Sequence, residues 1–173
     1  MNEVSIYLPD ERATVALGAA LGRTLTEQLS PGLDNRGWTI YLEGPLGAGK
    51  TTLVRGFLRH LGHTGAVKSP TYTLLEPYDL APCHDSVQVG FLKVFHFDLY
   101  RLLDPEEMEM LGIRDVLAEP DAVSLIEWPD RGEGYLPLPS LLMRIDPEGD
   151  ARRVFLAAHD PRAIASLANL DSG

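Results

Sequence analysis

The sequence WTIYLEGPLGAGKTT, residues 38–52, combines a run of strand-forming residues, a glycine-rich turn and the start of a helix. Gly44, Gly49, Lys50 and Thr51 match the pattern G-x-x-x-x-G-K-[ST], the P-loop. In a P-loop the backbone N–H groups point inward at phosphate groups, and glycine is needed where a Cβ would obstruct the turn. The pattern therefore predicts a phosphate-binding turn, with Lys50 at the β- and γ-phosphates and the Thr51 hydroxyl on Mg²⁺.

The residues on both sides of this turn meet the conditions that a P-loop requires. Residues 38–42 are rich in strand formers, and residues 52–61 place apolar side chains on one helical face. The predicted helix begins near Gly49, so its unpaired N–H groups and the positive end of its dipole favour an anion. The alternative is a glycine-rich turn that binds nothing. The complete motif between a strand and a helix favours phosphate binding.

Length, charge and cysteine content limit the class of protein. The 173 residues suit one domain, residues 1–173, whose core needs no disulfide. Cys83 is the single cysteine, and the first residues do not read as a signal peptide, so we predict a cytoplasmic protein. No apolar run approaches the ~20 residues that cross a bilayer. The net charge of −10 is opposite in sign to that of proteins that bind nucleic acid through its phosphates. If RNA is involved in the function, a partner is therefore expected to bind it.

Two predicted strands each deliver a carboxylate near their ends. Residues 89–99 contain Asp98, and residues 122–127 end in Glu127, with Pro129 stopping the strand. Ligands of open α/β sheets bind beyond the carboxyl ends of the strands, so both carboxylates are expected beside the P-loop, at Mg²⁺ or the attacking water. Either residue could instead cap a loop or pair with an arginine. Their joint presence with a P-loop favours a shared metal site.

The segment after the P-loop helix leaves two interpretations open. Residues 68–78 are predicted to be extended, and Thr71 could offer a hydroxyl to Mg²⁺ or the γ-phosphate as part of a nucleotide-sensing loop. The same residues also fit a plain edge strand with Pro70 at its start. Spacing alone favours neither interpretation.

The remaining apolar patterns predict the elements around this centre. The other predicted strands cover residues 2–8, 140–146 and 152–158, the last two as a hairpin. The other predicted helices cover residues 11–29 after the N-cap Asp10, a segment opened by residues 104–107 and broken at Gly112, and residues 160 to about 170. Together these patterns predict a P-loop NTPase-like three-layer α/β sandwich with a mixed, partly parallel central sheet.

Several motifs, taken in order, resemble the TsaE family, the small bacterial P-loop ATPases needed to make N6-threonylcarbamoyladenosine in tRNA. Besides the P-loop they are PDE at 9–11, KSPTY at 68–72, HFDLYRL at 96–102, DPEE at 104–107, GIRD at 112–115 and EWP at 127–129. The resemblance covers nearly the whole chain, and the ordered set is more specific than a P-loop alone. The chain departs from the family at Pro45, where many members have Asp, and in a longer loop at residues 81–91.

The resemblance implies an ATPase that uses ATP and Mg²⁺ within a complex with two partners, TsaB and TsaD, and meets tRNA only through that complex. In the family TsaD transfers the threonylcarbamoyl group, and the ATPase resets the complex between turnovers. Carried over by position, Thr51 and Glu127 would bind Mg²⁺ and Lys50 would hold the phosphates. Asp98 would position water or support the metal.

The P-loop pattern and the resemblance together imply a wider set of nucleotide contacts. The set is Glu11, Leu46, Gly47, Ala48, Gly49, Lys50, Thr51, Thr52, Thr71 and Trp128. Trp128 is expected near the nucleotide and Glu11 on its other side. No arginine-rich lid is apparent, and Arg101 and Arg114 have no assigned partner. We therefore predict weak hydrolysis by the isolated chain and stimulation by partners.

Two other functions also fit a P-loop. A small-molecule or nucleotide kinase would need a second, basic pocket for its acceptor, and the Lys and Arg residues here are few and scattered. A non-hydrolytic switch would bind ATP and scaffold partners. The sequence shows no Asn-Lys-x-Asp box that would read guanine, and it leaves open the choice between ATP and GTP, the stoichiometry, and which of Asp98 and Glu127 orients water.

Overall fold

The computed structural model describes residues 3–28, 36–70, 72–81 and 92–163. The elements in chain order are β1 Glu3–Leu8, α1 Glu11–Gln28, β2 Trp38–Glu43, α2 Lys50–His60, β3 Leu75–Leu80, β4 Leu92–Asp98, α3 Glu107–Met110, α4 Ile113–Leu117, β5 Ala122–Glu127, a 3₁₀ helix Pro129–Gly132, β6 Leu141–Glu148 and β7 Ala151–Ala158. Thr71, the loop at residues 82–91 and most of the helix predicted at 160–170 lie outside the described residues. Within the described ranges, no helix is long and apolar enough to cross a membrane.

One mixed sheet joins the described strands in the order β1-β7-β6-β2-β5-β4-β3. β6, β2, β5 and β4 run parallel, whereas β1–β7, β6–β7 and β3–β4 are antiparallel pairs. This arrangement confirms the predicted mixed, partly parallel sheet and the predicted hairpin of the last two strands. Asp98 pairs with Glu127 in the register of β4 and β5, so their side chains lie on the same face of the sheet.

Apolar side chains alternate between the two faces of this sheet. Along β2, Ile40 and Leu42 join the core cluster formed with α1 and α2, whereas Tyr41 packs against the cluster that contains α3 and α4. The period of two along a strand produces this division, because neighbouring side chains point to opposite faces. The result is the predicted three-layer sandwich, with α1 and α2 on the face that carries Glu127.

Two glycines allow α1 and α2 to approach with no side chain between them. A Cβ on Gly18 would lie 2.1 Å from the carbonyl oxygen of Leu53, and a Cβ on Gly56 would lie 2.2 Å from the carbonyl oxygen of Val15. Both distances are far shorter than any real contact of a Cβ atom. The two helices therefore meet backbone to backbone, which fixes the position of α2 and of the P-loop that precedes it.

The start of β3 differs from the sequence prediction. The strand begins at Leu75 and not at Pro70. The Leu74 N–H donates to the Pro70 carbonyl at 3.2 Å, and this bond closes a turn before the strand can begin. β3 does lie at the edge of the sheet, as one of the two interpretations required.

The start of α3 also differs from the prediction. The carboxylate of Asp104 accepts the Glu106 N–H at 3.0 Å and so holds a turn, and the helix begins only at Glu107. The predicted break at Gly112 is confirmed, because this residue lies at φ +65° between α3 and α4.

Gly56→Ala is expected to lower the free energy of unfolding by about 1–3 kcal/mol, because its methyl group overpacks the contact between α1 and α2. Alanine has the higher helix propensity by about 1 kcal/mol, but this gain does not remove a clash with backbone. Urea unfolding followed by circular dichroism measures the effect. The control is Gly65→Ala, whose Cβ would meet only the imidazole end of His63. A Gly56→Ala protein as stable as the wild type would show that the close approach is not needed.

Candidate functional site

A cleft of about 290 Å³ opens beside the P-loop at the carboxyl ends of the central strands. Its lining residues are Glu11, Leu46, Gly47, Ala48, Gly49, Lys50, Thr51, Thr52, Ser69, Asp98, Tyr100, Glu127, Trp128 and Arg152. Every predicted site residue that the structure describes is among them, whereas Thr71 lies outside the described residues. The fold therefore brings the predicted residues together, and their roles in binding and catalysis stay predictions.

The P-loop backbone adopts conformations that need glycine at three positions. Gly44, Gly47 and Gly49 have φ values of +147°, +78° and +108°, which other residues adopt only with strain. A Cβ on Gly44 would also lie 2.6 Å from the carbonyl oxygen of Ile145. Glycine is thus required at Gly44 for space as well as for conformation. α2 begins directly after this turn, at Lys50, so its first N–H groups face the same cleft.

Lys50 lies folded against the P-loop with carboxylates around it. Its Nζ donates to the carbonyl oxygens of Gly44 at 2.6 Å and Pro45 at 3.0 Å. Burial lowers the pKa of the Lys50 ammonium, and the nearby carboxylates of Glu127 and Asp98 oppose that shift. Positive and negative side chains therefore face each other across the cleft, as a site for a metal-bound phosphate requires.

Glu127 connects the end of β5 to the start of α2. Its side chain is 3% exposed, and its Oε1 accepts hydrogen bonds from the Thr51 hydroxyl at 2.8 Å and from His96 Nε2 at 2.8 Å. The Thr51 Oγ1 also lies 2.8 Å from the Ser69 hydroxyl. These hydroxyl and carboxylate oxygens are the donor type that Mg²⁺ prefers.

The donor set fits Mg²⁺ held jointly with phosphates better than a metal held by protein alone. In the described part of the chain, no group of three or more His, Cys, Asp or Glu side chains could hold a metal ion. Mg²⁺ is commonly bound through one or two carboxylates together with substrate phosphates and waters. Asp98 is half-buried beside this set, and its Oδ1 accepts the Tyr100 N–H at 3.0 Å.

Trp128 turns the chain sharply at the end of β5. Its φ of +57° is left-handed, a conformation that costs about 1–3 kcal/mol for a bulky residue and is concentrated at functional sites. Pro129 follows and begins the 3₁₀ helix. The turn leaves the indole ring with its centroid 4.4 Å from Lys50 Nζ and 4.9 Å from the centroid of the Tyr100 ring. An aromatic surface thus lies beside the P-loop lysine.

Sequence reasoning missed Arg152 and gave His96 no role. Arg152 is in β7, far from the P-loop in sequence, yet its Nε donates to the Ala48 carbonyl at 2.9 Å. Its Nη1 is buried and has no hydrogen-bond partner among the described residues. No local signal could have identified Arg152, because only the β6–β7 hairpin brings it to the cleft. His96 could have been noticed, since it lies two residues before Asp98 and therefore on the same face of β4.

Comparison with known proteins identifies the family. The family model described as "Threonylcarbamoyl adenosine biosynthesis protein TsaE" matches residues 8–155. This chain belongs to the TsaE family. Two relatives carry the name "tRNA threonylcarbamoyladenosine biosynthesis protein TsaE". The one from Haemophilus influenzae is 44% identical over 158 residues, 91% of each chain. The one from Bacillus subtilis is 39% identical over 117 residues, 68% of this chain and 66% of the relative.

A solved structure supports the fold. The crystal structure of YdiB from Bacillus subtilis superposes with a TM-score of 0.71 at 26% identity, covering 99% of this chain and 95% of that chain. The resemblance to TsaE and the α/β P-loop fold predicted from the sequence are therefore confirmed.

Proposed function

We propose that this TsaE-family chain hydrolyses ATP with Mg²⁺, and that hydrolysis supports repeated rounds of N6-threonylcarbamoyladenosine synthesis on tRNA in a complex with TsaB and TsaD. One observation carries the proposal: the Thr51 hydroxyl and the Glu127 carboxylate are hydrogen-bonded to each other in the same cleft as Lys50. The family's role in threonylcarbamoyl adenosine biosynthesis supports the pathway.

Each side chain of the cleft has a role that its position supports. Lys50 and the P-loop N–H groups would bind the β- and γ-phosphates, and Thr51 and Glu127 would bind Mg²⁺. The metal ion, when bound, neutralises charge on the phosphate oxygens. Asp98 is next to Glu127 in the sheet and less buried, which suits a residue that orients the attacking water. Trp128 would cover the phosphate end of the nucleotide.

The charges in the cleft favour a slow enzyme that a partner activates. Lys50 and Arg152 are the cationic residues among those that line it, and the Nε of Arg152 is already bonded to the P-loop backbone. An added arginine is worth about 10³ to 10⁵ in rate where one is used. Leu46 and Tyr100 are exposed at the same cleft, by 72% and 39%. A partner that binds at the mouth of the cleft would contact both side chains.

Glu127→Gln and Asp98→Asn are expected to reduce ATP hydrolysis by about 10²-fold or more, because the first removes a charged ligand of Mg²⁺ and the second removes the charged group that orients the attacking water. Binding of ATP should persist, since Lys50 and the P-loop are unchanged. Phosphate release measured with TsaB and TsaD present, together with calorimetry for binding, tests both statements.

The matched control is Glu133→Gln, an exposed carboxylate outside the cleft, which should hydrolyse ATP at the wild-type rate. Turnover by the isolated wild-type chain at about 10 per second or faster, a typical rate for a complete enzyme, would contradict dependence on a partner. A phosphorylated product from labelled ATP and a panel of nucleosides and nucleotides would instead indicate a kinase.

A reconstituted tRNA-modification reaction tests the biological role. With TsaB, TsaD and tRNA, we expect many rounds of modification in the presence of this chain and about one round without it, because hydrolysis resets the complex. Lys50→Ala should behave like omission of the chain. Repeated modification by Glu127→Gln protein whose hydrolysis is lost would show that ATP serves only as a structural ligand.

Arg152→Leu is expected to weaken binding of a non-hydrolysable ATP analogue by about tenfold, because a hydrogen bond from a charged group is worth about 1.5–3 kcal/mol and here it holds the Ala48 peptide of the P-loop. Lys at this position should not restore affinity, since it lacks the planar guanidinium. Arg153→Leu is the control, because Arg153 follows on the same strand, is partly exposed and pairs with Glu148. Equal affinity of the Arg152→Leu and Arg153→Leu proteins would contradict this role.

A further inference from the structure

His96 is a fully buried polar residue that the proposed mechanism does not use. It lies in β4 with 0% exposure, and its Nε2 is 2.8 Å from Glu127 Oε1. Asp98 lies two residues later on the same face of β4, and its register partner on β5 is Glu127. The parallel pairing of two strands therefore brings one histidine and two carboxylates to a single edge of the cleft.

The chemistry of the pair assigns the donor. An ionised carboxylate carries no proton, so Nε2 of His96 must donate the hydrogen bond. The same Oε1 also accepts the Thr51 hydroxyl. Glu127 is thus held at one oxygen by β4 and α2 together, which fixes the direction of its carboxylate.

Packing alone does not account for a histidine at this position. The Nδ1 atom of His96 is buried with no hydrogen-bond partner among the described residues. A buried polar atom without a partner costs free energy, whereas an apolar side chain would fill the same space without that cost. What the imidazole supplies that an apolar residue cannot is the Nε2–H bond to Glu127.

We infer that His96 is a positioning residue for the metal site: it holds the Glu127 carboxylate against the Thr51 hydroxyl so that these oxygens can bind Mg²⁺ with the nucleotide. The inference rests on the proposed function, because it concerns the same metal. Partners behind a metal ligand typically change metal affinity or activity by about 10–100-fold when they are removed. His96 is not among the residues that line the cleft, so its effect would pass through Glu127.

Three substitutions separate the hydrogen bond from the volume of the ring. His96→Gln keeps an amide nitrogen close to the position of Nε2, whereas the amide of His96→Asn reaches only to the position of Nδ1. His96→Leu fills the space without a donor. The Leu and Asn proteins should therefore need about tenfold more Mg²⁺ for half-saturation, and the Gln protein should stay within about threefold of the wild type.

The measurement is a Mg²⁺ titration in which calorimetry monitors the binding of a non-hydrolysable ATP analogue. The result therefore does not depend on turnover. Affinity for the analogue in EDTA should be equal in all variants, because the P-loop and Lys50 are unchanged. In hydrolysis assays at saturating Mg²⁺ and with partners present, kcat should fall in the Leu and Asn proteins while KM for ATP stays nearly constant.

Val94→Ala is the matched control, since Val94 is buried on the same face of β4, two residues away. It should lower stability to urea without changing the Mg²⁺ requirement. If the Leu protein does not fold, the comparison of Gln with Asn still decides, because both are polar and differ in reach.

A wild-type Mg²⁺ requirement in the Leu or Asn protein would overturn the inference and leave the proposed function intact. A Gln protein as impaired as the Asn protein would also overturn it, since a donor at the right position would then not suffice. Failure of the wild-type chain to bind the analogue at any Mg²⁺ concentration would instead overturn the proposed function itself.

Discussion

The buried carboxylate of Glu127 is the constraint on which the rest of the cleft depends. A charge out of contact with water is costly unless hydrogen bonds satisfy it, and here the donors come from Thr51 on α2 and His96 on β4. The ends of β4 and β5 and the start of α2 must therefore meet at the same point in space. The parallel pairing of β4 with β5, and of β5 with β2, provides this meeting point, because the carboxyl ends of all three strands open on one edge of the sheet.

Several features of the fold keep this meeting point in place. The glycines between α1 and α2 let backbone meet backbone, so the helix that carries Thr51 has little freedom to slide. The glycines of the P-loop take conformations that other residues adopt only with strain, and Arg152 on β7 holds the Ala48 carbonyl from the same face of the sheet. The left-handed backbone at Trp128 turns the chain out of β5 directly after Glu127. Strain and close packing thus concentrate around the same few side chains.

The electrostatics of the chain are consistent with the function proposed above, an ATPase that works through partners. Its net charge of −10 does not favour direct binding to tRNA, and the positive charge in the cleft comes from residues that already have bonding partners. Leu46 and Tyr100 are exposed at the mouth of the cleft, where the proposed partner would contact them. Membership of the TsaE family agrees with this picture, since its members are named for the biosynthesis of a modified adenosine in tRNA.

The sequence by itself determined the features that depend on neighbours in the chain. The strand, glycine turn and helix of the P-loop, the strand that ends at Glu127, the break at Gly112 and the family motifs all follow from local patterns. The predicted starts of β3 and α3 were wrong, because in each case a local turn takes the place of the first residues of the element. Only the tertiary structure decided the order of the strands, the placement of Arg152 and the bond between His96 and Glu127. Their partners lie tens of residues away, and which strands become neighbours is set by packing of the whole sheet, which no short pattern specifies.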